Sequence, residues 1–437
     1  MRLVRPRDKN YARVLRSLDR RAIPDPTVEK TVRAIIAAVQ KDGDAALLRL
    51  TKKFGGPKLS PAQLQVPSRH LSAAWRDLDA PTRRALQAAH RNIRAFAAKS
   101  LRRGWSTRNA QGARTGERFD PFRRVGIYVP GGTAPLVSTA LMTCTYAAAA
   151  GVKEIVAVTP AGPDGQVSPA LLAALHLAGA TEVYGVGGAQ AVAALALGTK
   201  SIAPVDKIFG PGNRYVVEAK RQLFGRVAID LLPGPSEILV IADRTANPAW
   251  VAADLLAQAE HDPLAAAILL TTSEELAAAL PAALEAQLAD HPRAEITRQA
   301  IQDWGLVVVC DSLATAAELS DRFAPEHLEL LVEDPEPLAE RIRHAGAIFL
   351  GPDSPEAVGD YLAGPNHTLP TSGTARFAGA LSVETFLRHT SLIRFNPAAL
   401  AATGPAVVTL AESEGLHSHA ESVRRRLAPG AAAASGD

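Results

Sequence analysis

The sequence predicts an α/β protein of two Rossmann-like lobes with parallel sheets, flanked by helical N-terminal and C-terminal segments. Three observations carry this reading. Short apolar runs alternate with helix-length stretches from Val125 onward. Glycine-rich turns follow several of those runs, at Pro130-Gly131-Gly132, Gly185-Val186-Gly187-Gly188 and Gly210-Pro211-Gly212-Asn213. The chain has 437 residues, 47% apolar and 21% charged, which suits two or three packed cores and excludes a disordered chain, a collagen or a coiled coil.

The first hundred residues read as helical. Residues 1–24 form an N-terminal arm, and Thr27 to Phe54 and Ala80 to Lys99 carry apolar residues at helical spacing. Asp25-Pro26-Thr27 and Asp79-Ala80-Pro81 are helix starts, because an Asp oxygen can accept from the first free N–H groups. The polar, Arg- and Gly-rich stretch from Arg102 to Glu117 reads as a loop.

Strand and helix then alternate twice. The first run has strands at Val125–Val129, Glu154–Thr159, Glu182–Gly185 and Lys207–Phe209. The second has strands at Glu237–Ala242, Ala266–Thr271, Leu306–Cys310, Leu328–Val332 and Ala347–Leu350. The runs meet near Leu231-Leu232-Pro233-Gly234-Pro235. This divides the chain into one lobe of residues 25–120 and 237–381, a second lobe of 121–236, and a helical C-terminal arm of 382–437. The last nine residues are low-complexity and read as disordered.

Charge and cysteine content narrow the function. Lys and Arg number 48 against 44 Asp and Glu, and aromatics are only 5%, so no basic, aromatic-studded nucleic-acid surface is expected. Much of the excess sits at the ends, in Arg2, Arg5, Arg7 and Arg424, Arg425, Arg426. Val125 to Val152 lacks charge, but its Pro-Gly-Gly break argues for a buried strand, loop and helix rather than a membrane span. The N-terminus has charge without an apolar stretch and does not read as a signal peptide. Cys144 and Cys310 lie in apolar surroundings, read as buried free thiols, and fit a reducing cytoplasm.

Several segments carry residues able to do chemistry. Glycine-rich turns between strand and helix aim backbone N–H groups at anions, although none of the three is a true G-x-G-x-x-G and no ribose-holding acid is evident. Glu326 and His327 lie side by side after Pro325, offering two bases of different strength or a plain charge pair. Gln258 and His261 share one helix face; since an amide oxygen is a poor metal ligand, Glu260 with His261 is the stronger pair on residue chemistry alone. A helix-capping role for His261 is the plainer alternative. Asp360 precedes the Gly364-Pro365-Asn366-His367 turn, and Glu414, His417 and His419 bring an acid and two imidazoles together, for metal or for solvent.

These segments resemble the histidinol dehydrogenase family along almost the whole chain. The matching stretches are Val125–Gly132, Val186–Gln190, Asp206–Asn213, Gly234–Asp243, Asp254–His261, Ala324–Glu329 and Gly364–Thr371, in that order. The resemblance implies NAD-dependent oxidation of L-histidinol to L-histidinal and then L-histidine, the last steps of histidine biosynthesis, with one zinc per active site. It implies a homodimer whose C-terminal arm is exchanged, so that Glu414 and His419 complete the neighbour's site. By position, Gln258, His261, Asp360 and His419 are the implied zinc ligands, which sets aside Glu260. Tyr128, Gln190 and Asn213 are the implied NAD contacts. Ser236 and Glu414 meet the substrate beside the metal ligands and His327, and Glu326 and His327 are the implied catalytic bases. The lobe of 121–236 then binds NAD, and the lobe of 25–120 and 237–381 carries metal and catalysis. His417, two positions from the implied ligand, departs from the pattern.

The physical chemistry fits those roles. Hydride loss from an alcohol needs the hydroxyl proton removed, which a neutral imidazole does well near neutral pH. The aldehyde must then gain water, which a carboxylate can polarise. Zinc can act as a Lewis acid or anchor the substrate's imidazole and amine, and the anchoring role is the expectation. Two rivals share the scaffold: an enzyme oxidising a sulfonated diol, which Glu414 would repel, and a non-catalytic metabolite sensor.

Overall fold

The computed structural model describes residues 1–16, 25–131 and 136–428. It divides into two compact units, one of Met1–Ser100 with Phe122–Phe386 and another of Leu101–Pro121 with the chain from Leu387 onward. Residues 17–24 of the expected N-terminal arm, Gly132 and the low-complexity end at 429–437 lie outside the described residues.

The first unit holds two parallel sheets. Strands that are buried on both faces are mostly apolar, and Glu237–Ala242 and Ala266–Thr271 are buried along their whole length, with Glu237 and Thr271 as the polar residues at their ends. Their six-stranded sheet runs Arg2–Val4, Leu306–Val309, Ala266–Thr271, Glu237–Ala242, His327–Leu331, Ala347–Leu350. All its pairings are parallel. Alternation sorts side chains between two cores: Leu239 and Ile241 face one, Ile238, Val240 and Ala242 the other.

The five-stranded sheet runs Glu182–Tyr184, Glu154–Val158, Arg124–Tyr128, Lys207–Phe209, Ala228–Ile229, again all parallel. In chain order this is 3-2-1-4-5. The direction of winding therefore reverses between Arg124–Tyr128 and Lys207–Phe209, and the crevice beyond their carboxyl ends is where such folds take ligands. The other sheet repeats that order, with the N-terminal strand Arg2–Val4 added at its edge. That short strand was not foreseen in the arm.

The N-terminal helices depart from the sequence reading. Thr27 to Phe54 is two helices, Pro26–Asp42 and Asp44–Lys53, because Gly43 adopts φ 53° between them. Their apolar faces, including Val28, Val32, Ile35, Leu47 and Leu50, share a core with Val156, Val158, Val192 and Ile208 of the five-stranded lobe. Residues 25–53 thus pack with the lobe expected to bind NAD, not with the lobe expected to carry the metal. Asp25 and Asp79 do cap helices: Asp25 accepts from Thr27 N–H at 2.8 Å and Asp79 from Thr82 N–H at 2.9 Å.

In the second unit, Trp105–Arg108, Arg114–Pro121 and Leu387–Arg394 form a three-stranded antiparallel sheet. Half of the Arg102–Glu117 stretch is therefore strand, and the C-terminal segment carries the strand Leu387–Arg394 before its helices Pro397–Ser413 and His417–Leu427. A Cβ on Gly404 would come within 2.6 Å of Leu427 and 3.1 Å of Val423, so glycine lets those two helices close on each other. Among the described residues no helix is long and apolar enough to cross a membrane. Cys144 and Cys310 are buried and free, and burial pushes both thiols up to about 12.

Candidate active site

The helix Leu313–Phe323 ends at Ala324, which takes the left-handed conformation at φ 55°. Pro325 follows, and the chain turns directly into the strand His327–Leu331. This sharp, strained entry puts Glu326 and His327 at the amino end of the sheet, next to the start of Glu237–Ala242. Gly346 permits the close passage, since a Cβ there would fall 2.5 Å from the Glu326 carbonyl oxygen.

One residue's main chain holds both side chains. The Glu237 N–H donates to Glu326 Oε2 at 2.9 Å, and the Glu237 carbonyl lies 3.1 Å from His327 Nδ1. Gln258 Oε1 lies 2.8 Å from the same Nδ1. Both neighbours of Nδ1 are acceptors, so the proton sits on Nδ1 and the Nε2 lone pair is left for chemistry. Nε2 is buried and, among the described residues, without a hydrogen-bond partner, 3.7 Å from Glu356 Oε1. Burial pushes the imidazole down to about 4, so it is neutral at physiological pH and able to accept a proton. Burial pushes Glu326 well above the usual carboxyl range, against the opposing Glu237 N–H bond.

The helix Glu356–Tyr361 presents Glu356 and Asp360 one turn apart. The Glu356 N–H donates to the buried Glu329 carboxyl at 2.7 Å. Nitrogen and oxygen atoms of His327, Glu356 and Asp360 lie within 4.8 Å of one another. Burial raises Glu356 well above the ordinary range and Glu329 to about 9. Burial also acts to raise Asp360, but the His367 hydrogen bond and the charges of His367, His327 and His261 bring it below its usual value. His367 Nδ1 is 3.5 Å from Asp360 Oδ1, and its Nε2 is 3.5 Å from Thr139 Oγ1. Thr139 is in the first turn of the helix Val137–Ala150, which follows the strand Arg124–Tyr128. His367 thus links this cluster to the helix rising from the crevice of the five-stranded sheet.

Gln258 lies in the last turn of the helix Pro248–Ala259, and His261 follows the helix after Glu260. His261 Nδ1 lies 3.0 Å from the Ala257 carbonyl, which fixes the proton on Nδ1 and frees Nε2. Glu260, the stronger candidate on residue chemistry alone, lies 3.5 Å from His291 Nε2. Ser236 is half-buried just before Glu237. Glu414, His417 and His419 belong to the second unit and are exposed.

At the five-stranded sheet, Tyr128 ends its strand and is buried, its hydroxyl accepting from Gly188 N–H at 3.0 Å. Gln190 is buried in the first turn of Gly188–Leu197. Asn213 is exposed and caps Arg214–Leu223, accepting from Tyr215 and Val216 N–H at 3.0 and 3.2 Å. Tyr128 and Asn213 flank the crevice where the winding reverses, a location that fits a dinucleotide. The other donor set fits a divalent cation. Orphaned, buried His327 Nε2 and Glu356 Oε1 face each other near Asp360, and His261 offers a second imidazole with its tautomer set.

A family model described as histidinol dehydrogenase matches residues 18–427. The chain belongs to the histidinol dehydrogenase family. It is 56% identical over 428 residues to a histidinol dehydrogenase of Parasynechococcus marenigrum (strain WH8102), covering 98% of both chains. It is 57% identical over 397 residues to that of Prochlorococcus marinus (strain MIT 9313), covering 91% of this chain and 89% of the relative. The crystal structure of histidinol dehydrogenase from Elizabethkingia anophelis superposes with a TM-score of 0.92 at 37% identity, over 98% of each chain. An acetylating aldehyde dehydrogenase from Geobacillus thermoglucosidasius, at 14% identity and a TM-score of 0.50, shares the fold alone.

Within this histidinol dehydrogenase fold, sequence reasoning assigned no role to Glu237, Glu356 or His367. His367 stood in a quoted motif, and Glu356 precedes Asp360 by one helical turn. Those two signals were open to reading; the Glu237 main-chain bonds were not, because they depend on strand neighbours.

Proposed function

We propose that this dehydrogenase oxidises L-histidinol to L-histidinal and then to L-histidine, the closing steps of histidine biosynthesis, in the cytoplasm. The observation that carries the reading is His327: Nδ1 held by two acceptors, Nε2 buried, unpartnered and neutral.

In the first oxidation His327 Nε2 takes the hydroxyl proton as the carbon loses its hydride. Tyr128, Gln190 and Asn213 would hold NAD, which would supply the hydride acceptor for each oxidation, two equivalents per substrate. Glu326 then withdraws a proton from water as the water oxygen adds to the aldehyde carbon, and returns it to the former carbonyl oxygen, giving a gem-diol. A carboxyl held above its usual range favours that uptake. His327, its own proton released to solvent, takes the proton of one gem-diol hydroxyl in the second oxidation.

Gln258, His261, Asp360 and His419 of the partner subunit would hold zinc, one ion per site. Zinc would supply an anchor for the substrate's imidazole and amine, so that the aldehyde would stay in place between the two oxidations. Ser236, Gln258, His261, His327, Asp360, Glu414 and His419 line the substrate. The last ligand and Glu414 come from the C-terminal arm exchanged across a homodimer. The exposure of Glu414 and His419 in the single chain supports this.

An assay of NADH formation with L-histidinol and zinc tests the proposal. Two NADH per histidinol are expected. One NADH with histidinal accumulating, or none, rejects it.

A further inference from the structure

We infer that Lys220 and Asp230 form a positioning pair that fixes the Gly210–Asn213 loop for dinucleotide binding; this rests on the reading that the five-stranded lobe takes NAD. Lys220, in the helix Arg214–Leu223, and Asp230, just after the strand Ala228–Ile229, make an ion pair with side chains 0% and 1% exposed. Both also grip a single loop residue. Lys220 Nζ donates to the Gly210 carbonyl at 3.0 Å, and the Gly210 N–H donates to Asp230 Oδ2 at 2.7 Å.

That residue is where the loop has least freedom to relax. Gly210 adopts φ 107°, and a Cβ there would collide with the Tyr128 carbonyl oxygen. So the end of the strand Lys207–Phe209 is tied through one residue to the helix Arg214–Leu223 and to the end of the neighbouring strand Ala228–Ile229, with the Tyr128 carbonyl packed against that residue on the crevice side. Asn213 lies three residues on and starts the same helix that carries Lys220. A buried ion pair adds little net stability over an apolar pair of similar size, because desolvating two charges offsets their attraction. What it does add is direction: it satisfies one N–H and one carbonyl that no strand pairing serves. Neither side chain has access to solvent, so neither contacts the dinucleotide itself. Their effect is on where Asn213 and the loop amides stand.

The test is the double variant Lys220→Met with Asp230→Asn, which leaves no unpaired buried charge. NADH binding is titrated by fluorescence, zinc content is measured, and KM is determined for NAD and for histidinol. The expected result is that the NADH Kd and the NAD KM rise about tenfold, as a displaced binding loop predicts. Histidinol KM and zinc content stay within about twofold. Asn213→Ala serves as the reference. If Asn213→Ala weakens NADH and the double variant does not, even with a lowered melting temperature, the pair is structural only and the inference is overturned. If neither variant changes NADH binding, the loop is not the dinucleotide site and the failure lies in that reading.

Discussion

Gln258 Oε1 lies 2.8 Å from His327 Nδ1, joining a residue expected to bind metal to one expected to carry out proton transfer. With the Glu237 carbonyl on the same nitrogen, the imidazole has one available tautomer. Removing the ring should lower both oxidations, so His327→Ala is expected to reduce each by ~10²–10⁴-fold. Glu326→Gln keeps an oxygen for the Glu237 N–H but cannot take a proton from water. It should slow oxidation of supplied histidinal by ~10²-fold and leave histidinol oxidation to histidinal within a few fold. Stopped-flow NADH traces with each substrate separate the steps. Normal turnover of histidinal by Glu326→Gln removes Glu326 from the hydration step.

The metal assignment can be divided between two overlapping sets. Geometry alone gathers His327, Glu356 and Asp360, whereas the family pattern names Gln258, His261 and Asp360. His261 has Nε2 free because its Nδ1 is committed to the Ala257 carbonyl, while His327 Nε2 is needed as a base. His261→Ala, which removes a ligand outright, should therefore lose zinc after dialysis against a chelator, by more than the ~10–100-fold in affinity that loss of a ligand's hydrogen-bond partner costs. Glu356→Gln should retain it. Elemental analysis reads both; zinc held by His261→Ala and lost by Glu356→Gln would favour the geometric set.

A shared site makes a complementation experiment decisive. His419 and Glu414 sit on the second unit, exposed, at the start of the helix His417–Leu427 and at the end of Pro397–Ser413. If they serve the neighbour, mixing His419→Ala with His261→Ala subunits gives hybrids with one doubly damaged site and one intact site. Activity should reappear on mixing, in proportion to hybrids separated by differently charged tags. Hybrids without activity would mean that each subunit completes its own site.

How much could be read in advance depended on how local each cause was. Asp25 and Asp79 announce helix starts because a cap involves only the next three residues. The alternating strands were legible because burial on both faces favours near-continuous apolar runs, as in residues 238–242 after Glu237. The strand Leu387–Arg394 was not legible: seven of its eight residues are exposed, so it shows no two-residue apolar alternation. The Gly43 break hid inside a periodicity that continues across it. Glu326 and His327 were conspicuous as neighbours in sequence, but their partners come from two other segments, residues 69–90 positions away. Only the order of strands brings Glu237 and Gln258 to them.

Acid sensitivity should originate in part at the other sheet. Arg124, Glu154 and Glu182 begin three adjacent strands, and the Arg124 side chain is only 4% exposed. Its guanidinium grips Glu182 through both oxygens, at 2.5 and 2.9 Å, and Glu154 at 2.8 Å. The hydrogen bond from Arg124 holds the Glu182 carboxyl below its ordinary value of 4.5, overcoming the opposite pull of burial. A folded-state value below the unfolded one means that the stabilisation is present above pH 4.5 and is lost as pH falls through the lower, folded value. Glu182→Gln keeps the shape and removes the charge. It should cost roughly 1.5–3 kcal/mol at pH 7, typical of a charged hydrogen bond. Urea unfolding from pH 7 to pH 3 should show the gap between wild type and variant closing below pH 4.5. A gap that stays constant over that range would mean that the Glu182 charge contributes nothing to folding.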